Sequence, residues 1–492
     1  MKMRLFIWRV TVVIGLALVV TEQASAIGNK AVPETLQTVL MMSDTHFNPF
    51  HDPAKVKQLA EAPAGKWEEI LASPDSPTHA QDFETLRMGC KLRGIDTPYS
   101  LFASAIQAIH RDGAEARFIT ISGDMLAHSF GCMFTMTQPN ATPEQYMVFT
   151  AKTIEYEVLQ LRHAVPGAPL YFALGNNDSE CGDYRLDTAT DWFRTLAKVA
   201  EDGVGHTWDR AATDSFQQGG YYSVEMPHPL KKTRMIVVND MYLAGGYRSC
   251  KGEVNGVPGK SQMSWLQTQL DDARTHHERV WVIAHIPPGV SPYATFQQQK
   301  NKMDMCKPDG KPASFMPSDI LGDTIARYGD VVKLSIFGHT HVDEMKVLDG
   351  ENGGVPVKNV SSLTAIGGNY PSFTIAQMSI ATGELLDYTV VSSPDPQGSN
   401  WAKEYTFSEE YGRKGFTPET LRAVVALLAA DPGGTTKLSE DYILHWSVGA
   451  QRTQLQPIWP GYVCGMNHPH AKEYKACVCS SSLGPSLGGA MP

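Results

Sequence analysis

Short apolar runs rich in β-branched residues recur along this chain at long intervals, and most are followed at once by a polar cluster. Residues 36–42, 117–122, 170–174, 235–238, 280–284 and 334–337 read as buried strands. Stretches of helical periodicity lie between them, at 99–110, 143–162, 262–274 and 317–327. Strand and helix in alternation predict an α/β sheet with buried central strands. A chain of 492 residues, 42% of them hydrophobic, has apolar side chains enough for one large core with a smaller unit appended.

Past residue 345 the rhythm shortens. Residues 355–361, 372–379 and 384–391 predict closely spaced strands in a second sheet with hairpin connections, and 393–399 reads as a Pro/Gly linker. Beyond Trp401 the pattern turns helical: Thr417 is a good N-cap, Pro418 suits the first helical position, and Phe416 can staple to Leu421. The expected organisation is a signal segment at 1–26, a catalytic domain at 27–400 and a C-terminal helical subdomain with disulfides at 401–492.

The first residues combine Lys2, Arg4 and Arg9 with an apolar run from Val10 to Val20 and small residues at Ala24 and Ala26. That run is too short to span a bilayer, so it reads as a secretory signal cut near Ala26, giving a secreted or periplasmic product without a transmembrane segment. Eight cysteines in an exported chain favour disulfides, with Cys464 a local partner for the Cys477/Cys479 pair. Asn140-Ala-Thr and Asn359-Val-Ser are acceptor sequences for glycans in a eukaryotic secretory route. The net charge of −10 becomes more negative once a signal with three basic residues and one acidic residue is removed, which disfavours duplex nucleic acid as a partner.

The polar clusters are S-D-T-H (Asp44, His46), S-G-D-M-L-A-H (Asp124, His128), L-G-N-N-D (Asn176, Asn177, Asp178), A-H-I-P-P-G (His285) and F-G-H-T-H (His339, His341). Any one of them has an ordinary structural reading, since Gly-Asp marks turns and a loop histidine is easily satisfied. Five of them, each just after a predicted strand, fall where an open α/β sheet forms its binding crevice. Two divalent ions held close together need a bridging carboxylate plus imidazole and oxygen ligands, with positions left open for water and phosphate, and Asp124 is the natural bridge. Asp44 and His46 are alternate residues, as are His339 and His341, so each pair can serve one site only after its strand has been left.

In this order, D-x-H, G-D, G-N, H and G-H-x-H resemble the calcineurin-like metallophosphoesterases over roughly residues 36–390. The resemblance implies a four-layer α/β/β/α sandwich of two mixed sheets with a small C-terminal helical subdomain. It implies one metal held by Asp44, His46, Asp124 and His341, and a second by Asp124, Asn176, His285 and His339. Zinc is the first choice, and manganese, iron or cobalt suit the same nitrogen and oxygen donors. Three further features are similar to the acid sphingomyelinase-like branch, which includes vacuolar endopolyphosphatases: His128, four residues after Asp124; G-I-D-T-P-Y-S-L at 94–101; and S-S-L-T-A-I-G-G-N-Y-P-S-F at 361–373.

That second resemblance implies phosphoester hydrolysis by hydroxide attack between two metals, with His128 as proton donor and Asn369 and Tyr370 at the substrate rim. Most of the superfamily reads Gly-Asn-His where this chain has Gly175-Asn176-Asn177. Asn177 cannot act as an acid, but its amide can donate a hydrogen bond to a phosphoryl oxygen. About ten residues between the signal and the first strand leave no place there for a saposin-like lipid-binding domain, so the expected substrate is a soluble phosphodiester or phosphoanhydride, such as a nucleotide or head group. Sphingomyelin, another phospholipid or polyphosphate is the alternative. Lys300, Lys302, Lys307 and Lys311 are diluted by Asp304 and Asp309 and read as a solvated loop rather than a polyanion track. A non-catalytic binding protein of this fold would be expected to lack a ligand, and none is missing. Oligomeric state is not legible.

Overall fold

A computed structural model describes residues 36–300, 305–450 and 455–480. The expected signal and its cleavage near Ala26 lie outside them, as do Lys302, Asp304 and the tail beyond Ser480. Twelve strands are described: β1 (Leu36–Met42), β2 (Phe118–Ile121), β3 (Leu170–Phe172), β4 (Tyr222–Glu225), β5 (Thr233–Val237), β6 (Arg279–Ile283), β7 (Val332–Phe337), β8 (Glu344–Leu348), β9 (Val355–Asn359), β10 (Ser372–Ser379), β11 (Leu385–Ser392) and β12 (Ala402–Thr406). They form two six-stranded mixed sheets, ordered β12-β11-β10-β1-β2-β3 and β4-β5-β6-β7-β9-β8. Within them β1, β2 and β3 are mutually parallel, as are β5, β6, β7 and β9.

Side-chain alternation along β6 shows how the sheets stack. Trp281 and Ile283 join the core shared with Val39, Met41 and Phe118 of the first sheet, and the Trp281 and Phe118 rings meet edge-on with centroids 5.6 Å apart. Val280 and Val282 point the other way, onto Leu266, Leu270 and Ile325 of the outer helices Val257–Thr275 and Ile320–Arg327. Helices Tyr99–Gly113 and Pro143–Ala164 cover the far face of the first sheet. The expected four-layer α/β/β/α sandwich is therefore present. The second of these helices starts where its sequence directs: Thr142 accepts from the Gln145 amide, Gln145 returns a bond to the Thr142 amide, and Pro143 occupies the first turn.

Two expectations are corrected. The strands after residue 345 do not make a sheet of their own: β9 lies parallel to β7 in the second sheet, whereas β10 crosses to the first and pairs antiparallel with β1. Alternation reveals a strand's buried face but not its partner, and the open edge of β1 decides the matter. The segment beyond Trp401 is not wholly helical either, because β12 extends the first sheet beside β11.

Five helices follow (Phe407–Tyr411, Pro418–Ala429, Lys437–Trp446, Trp459–Asn467 and Ala471–Val478), with Thr417 capping the second. They cover the β8 edge, where Tyr462 donates to Glu344 at 2.9 Å and Lys358 is buried against Asp343. All eight cysteines are paired, as Cys90–Cys132, Cys181–Cys250, Cys306–Cys479 and Cys464–Cys477, so Cys464 does find a local partner. Lys475 reaches the carbonyls of Lys307 and Gly310 at 2.6 Å, anchoring the lysine-bearing loop. Of the two glycan acceptor sequences, Asn140 is exposed, but Asn359 is buried with its amide donating to Thr340 and Val342, which excludes it as an acceptor.

Trp281 is fully buried between the sheets and donates to the Gly383 carbonyl at 2.7 Å. Trp281→Ala is expected to cost about 3–5 kcal/mol in equilibrium urea unfolding, from the cavity and the orphaned carbonyl.

Candidate metal centre

Every expected ligand lies just past the carboxyl end of a parallel strand: Asp44 and His46 after β1, Asp124 after β2, Asn176 after β3, His285 after β6, and His339 and His341 after β7. The two sheets meet at this edge, where Ser122 of the first donates to the Phe337 carbonyl of the second at 3.1 Å. Asp44, His46, Asp124, His339 and His341 all have positive φ, between 41° and 69°. This left-handed conformation turns both members of each alternate pair inward, at about 1–3 kcal/mol per residue. Main-chain bonds hold it, with Asp44 N–H donating to Gly123 O and His46 N–H to Asp124 O, both at 2.9 Å.

The side chains converge in two groups that share Asp124. In the first, His46 Nε2 lies 3.2 Å from His341 Nε2, 3.4 Å from Asp124 Oδ2 and 3.9 Å from Asp44 Oδ1, which is 3.5 Å from His341 Nε2. In the second, His285 Nε2 lies 3.2 Å from Asn176 Oδ1, 3.2 Å from His339 Nδ1 and 3.3 Å from Asp124 Oδ2. Four donors placed tetrahedrally about an ion at ~2.1 Å stand ~3.4 Å apart, so both groups have the spacing of a coordination shell. Burial holds the rings of His46 and His339 neutral, down to about 4 and 3, which is the form that binds metal. The donor set therefore fits two divalent ions bridged by Asp124.

A second layer orients the donors. The Nδ1–H groups of His46 and His285 face the carbonyls of Leu126 (2.9 Å) and Ser122 (2.7 Å), leaving Nε2 of each ring free. Asp178 accepts from the Leu126 and Gly175 amides and Asp240 from the Ile286 amide, locking three ligand loops together. These two carboxylates look like ligands by type but serve as struts. Gly123 and Gly175 are required by close approach: a Cβ at Gly123, where φ is +94°, would lie 2.7 Å from His285 Nδ1, and one at Gly175 would overlap the Asp124 carboxylate.

Beside the first group, the His128 ring stacks on His46 with centroids 4.0 Å apart, and its side chain is partly exposed. Asp96, buried, takes both His128 Nδ1–H (3.0 Å) and the His128 amide (2.8 Å), and also faces Thr364 Oγ1 at 3.4 Å. Burial opposes charge on His128, but the Asp96 carboxylate outweighs it and raises the ring above its usual range. Asp96 lies within the G-I-D-T-P segment, yet only the fold shows its role. Asn177 is turned inward: its amide N–H and Nδ2 donate to the two Asp124 oxygens, each at 2.8 Å. Asn369 is buried, with Nδ2 donating to Ser362 Oγ, Thr364 O and Tyr370 O, while Tyr370 is partly buried beside Gly449. Gly175→Ala is expected to weaken both ions at least about tenfold in isothermal titration, because a displaced bridge belongs to both shells.

No family model matches the chain. A cyclic GMP-AMP phosphodiesterase (SMPDL3A) of Rattus norvegicus is 28% identical over 354 residues, 68% of this chain and 71% of the relative. Acid sphingomyelinase-like phosphodiesterase 3b of Homo sapiens is 22% identical over 79% of this chain and 82% of its own length, and sphingomyelinase phosphodiesterase C of Dictyostelium discoideum is 22% identical over 78% and 82%. Among solved structures, a dimetal phosphatase from Danio rerio covers 72% of this chain and 95% of its own at a TM-score of 0.39 and 11% identity. Over two thirds or more of its length the chain is similar to proteins named as acid sphingomyelinase-like phosphodiesterases.

Proposed function

We propose that this chain is an exported two-metal phosphodiesterase acting on a soluble phosphodiester or phosphoanhydride, of which a nucleotide or nucleotide-linked head group is the preferred class. The observation that carries the reading is the pair of donor groups sharing Asp124, with an Asp96-held imidazole beside one of them. Relatives named for cyclic GMP-AMP support the nucleotide, and the four disulfides support an exported protein. Zinc is the preferred ion, held by nitrogen and oxygen donors from both sheets: Asp44, His46, Asp124 and Asn176 past strands of the first, and His285, His339 and His341 past strands of the second.

Two bound ions would supply a water of lowered pKa and neutralise charge growing on the phosphoryl oxygens. The protein does the rest. Asp96 holds Nδ1–H of His128, so the proton available to a departing oxygen sits on Nε2. Asn177 fixes both oxygens of Asp124, and its amide is therefore assigned to the bridge. Asn369 pins the 362–370 loop behind His341, leaving Tyr370 as the rim residue.

The test is hydrolysis by the metal-loaded chain of bis-p-nitrophenyl phosphate, a cyclic dinucleotide, ATP, sphingomyelin and long-chain polyphosphate. Asp124→Asn is expected to abolish turnover. His128→Ala should lower kcat about 10²- to 10⁴-fold for alkoxide leaving groups but little for p-nitrophenolate, which needs no proton. Turnover of sphingomyelin or polyphosphate alone would reassign the substrate, and two bound ions without any turnover would mark a binding protein.

A further inference from the structure

The two donor groups are supported differently. In the first, the struts belong to the sheet edge itself: Leu126 O for His46, and Ser43 Oγ, at 2.5 Å, for Asp44. In the second, two of the four donors depend on one surface loop. Asp183 accepts from Asn176 Nδ2 at 2.8 Å, and because a carboxylate only accepts, this bond fixes the amide with Oδ1 toward His285. The neighbouring Tyr184 hydroxyl lies 3.4 Å from His339 Nε2, and accepting that N–H leaves Nδ1 free to face the ion.

This loop has no secondary structure of its own. It is zipped to residues 247–250 by main-chain bonds between Arg248 and Tyr184 and between Leu186 and Arg248, and the Cys181–Cys250 disulfide closes the seam. Both cysteines are partly exposed. Asn176 is an uncharged ligand, so its contribution to affinity rests on orientation more than on Coulomb attraction.

We propose that the Cys181–Cys250 disulfide sets the affinity of the second group for its ion, by holding the loop whose Asp183 and Tyr184 orient Asn176 and His339. The loop's two side chains bond donors of the second group, Asp183 to Asn176 and Tyr184 to His339, whereas His46 and Asp44 of the first are held by Leu126 O and Ser43 Oγ. This inference rests on the two-metal reading, and it makes Asp183 and Tyr184 positioning residues rather than ligands.

The experiment is calorimetric titration of Mn²⁺ and Zn²⁺ into the chelator-treated chain, with Asn176→Ala used to identify which of the two Kd values belongs to the second group. In the Cys181→Ser/Cys250→Ser variant that Kd is expected to rise about 10- to 100-fold while the other holds. Tyr184→Phe should raise the same Kd without touching a disulfide, so the idea remains testable if the double variant folds poorly. Cys464→Ser/Cys477→Ser, in the C-terminal helices, should leave both values unchanged. Two Kd values that rise together, or neither rising in the disulfide and Tyr184 variants, would overturn the proposal. A wild-type chain that binds fewer than two ions would instead overturn the two-metal reading, and that is seen before any variant is made.

Discussion

Asp124 places a carboxylate at the seam between two sheets, almost out of reach of water, with imidazoles 3.3 and 3.4 Å away on either side. An isolated carboxylate there would be costly, and the neighbouring groups offset that cost. Asn177 donates to both oxygens, the coulombic field of His285 adds to these bonds, and the carboxyl stays well below its ordinary range despite burial. The strand ends, the left-handed residues and the two glycines serve to bring five loops to this one group.

The same demand explains where the chain spends backbone strain. Five of the expected ligands sit at positive φ, and the interlocking bonds through Asp178, Asp240 and the Gly123 and Asp124 carbonyls hold them there. Rigidity is uneven, however. The first donor group is braced by the sheet edge and the second by a disulfide-closed loop, so two groups that share a bridge are not held alike.

Much of the site was legible in the sequence, because metal ligands must be particular residue types and must follow strand ends. The seven residues expected as ligands lie in two groups that share Asp124, and His128 stands beside them. Asp96, Asp183, Tyr184 and Asp240 were not legible as site residues, since an isolated acid or tyrosine carries no spacing signal until folding brings it to a ligand. Asn177 was read as facing substrate, and the structure turns it onto Asp124. In the fold, the parallel strands were readable from apolar runs, whereas β4, β8 and β12, short or at or beside sheet edges, left little pattern to find.

What the sequence by itself determined is the chemistry: donors of fixed type at strand ends, glycines where a Cβ cannot fit, and cysteines enough for four bridges. Only the tertiary structure decided the partners, placing β10 against β1, β12 at the edge of the first sheet, and Cys181 against Cys250. The physical reason is that residue type and period report a local environment, whereas pairing is a choice among many distant surfaces, resolved only when the whole core packs.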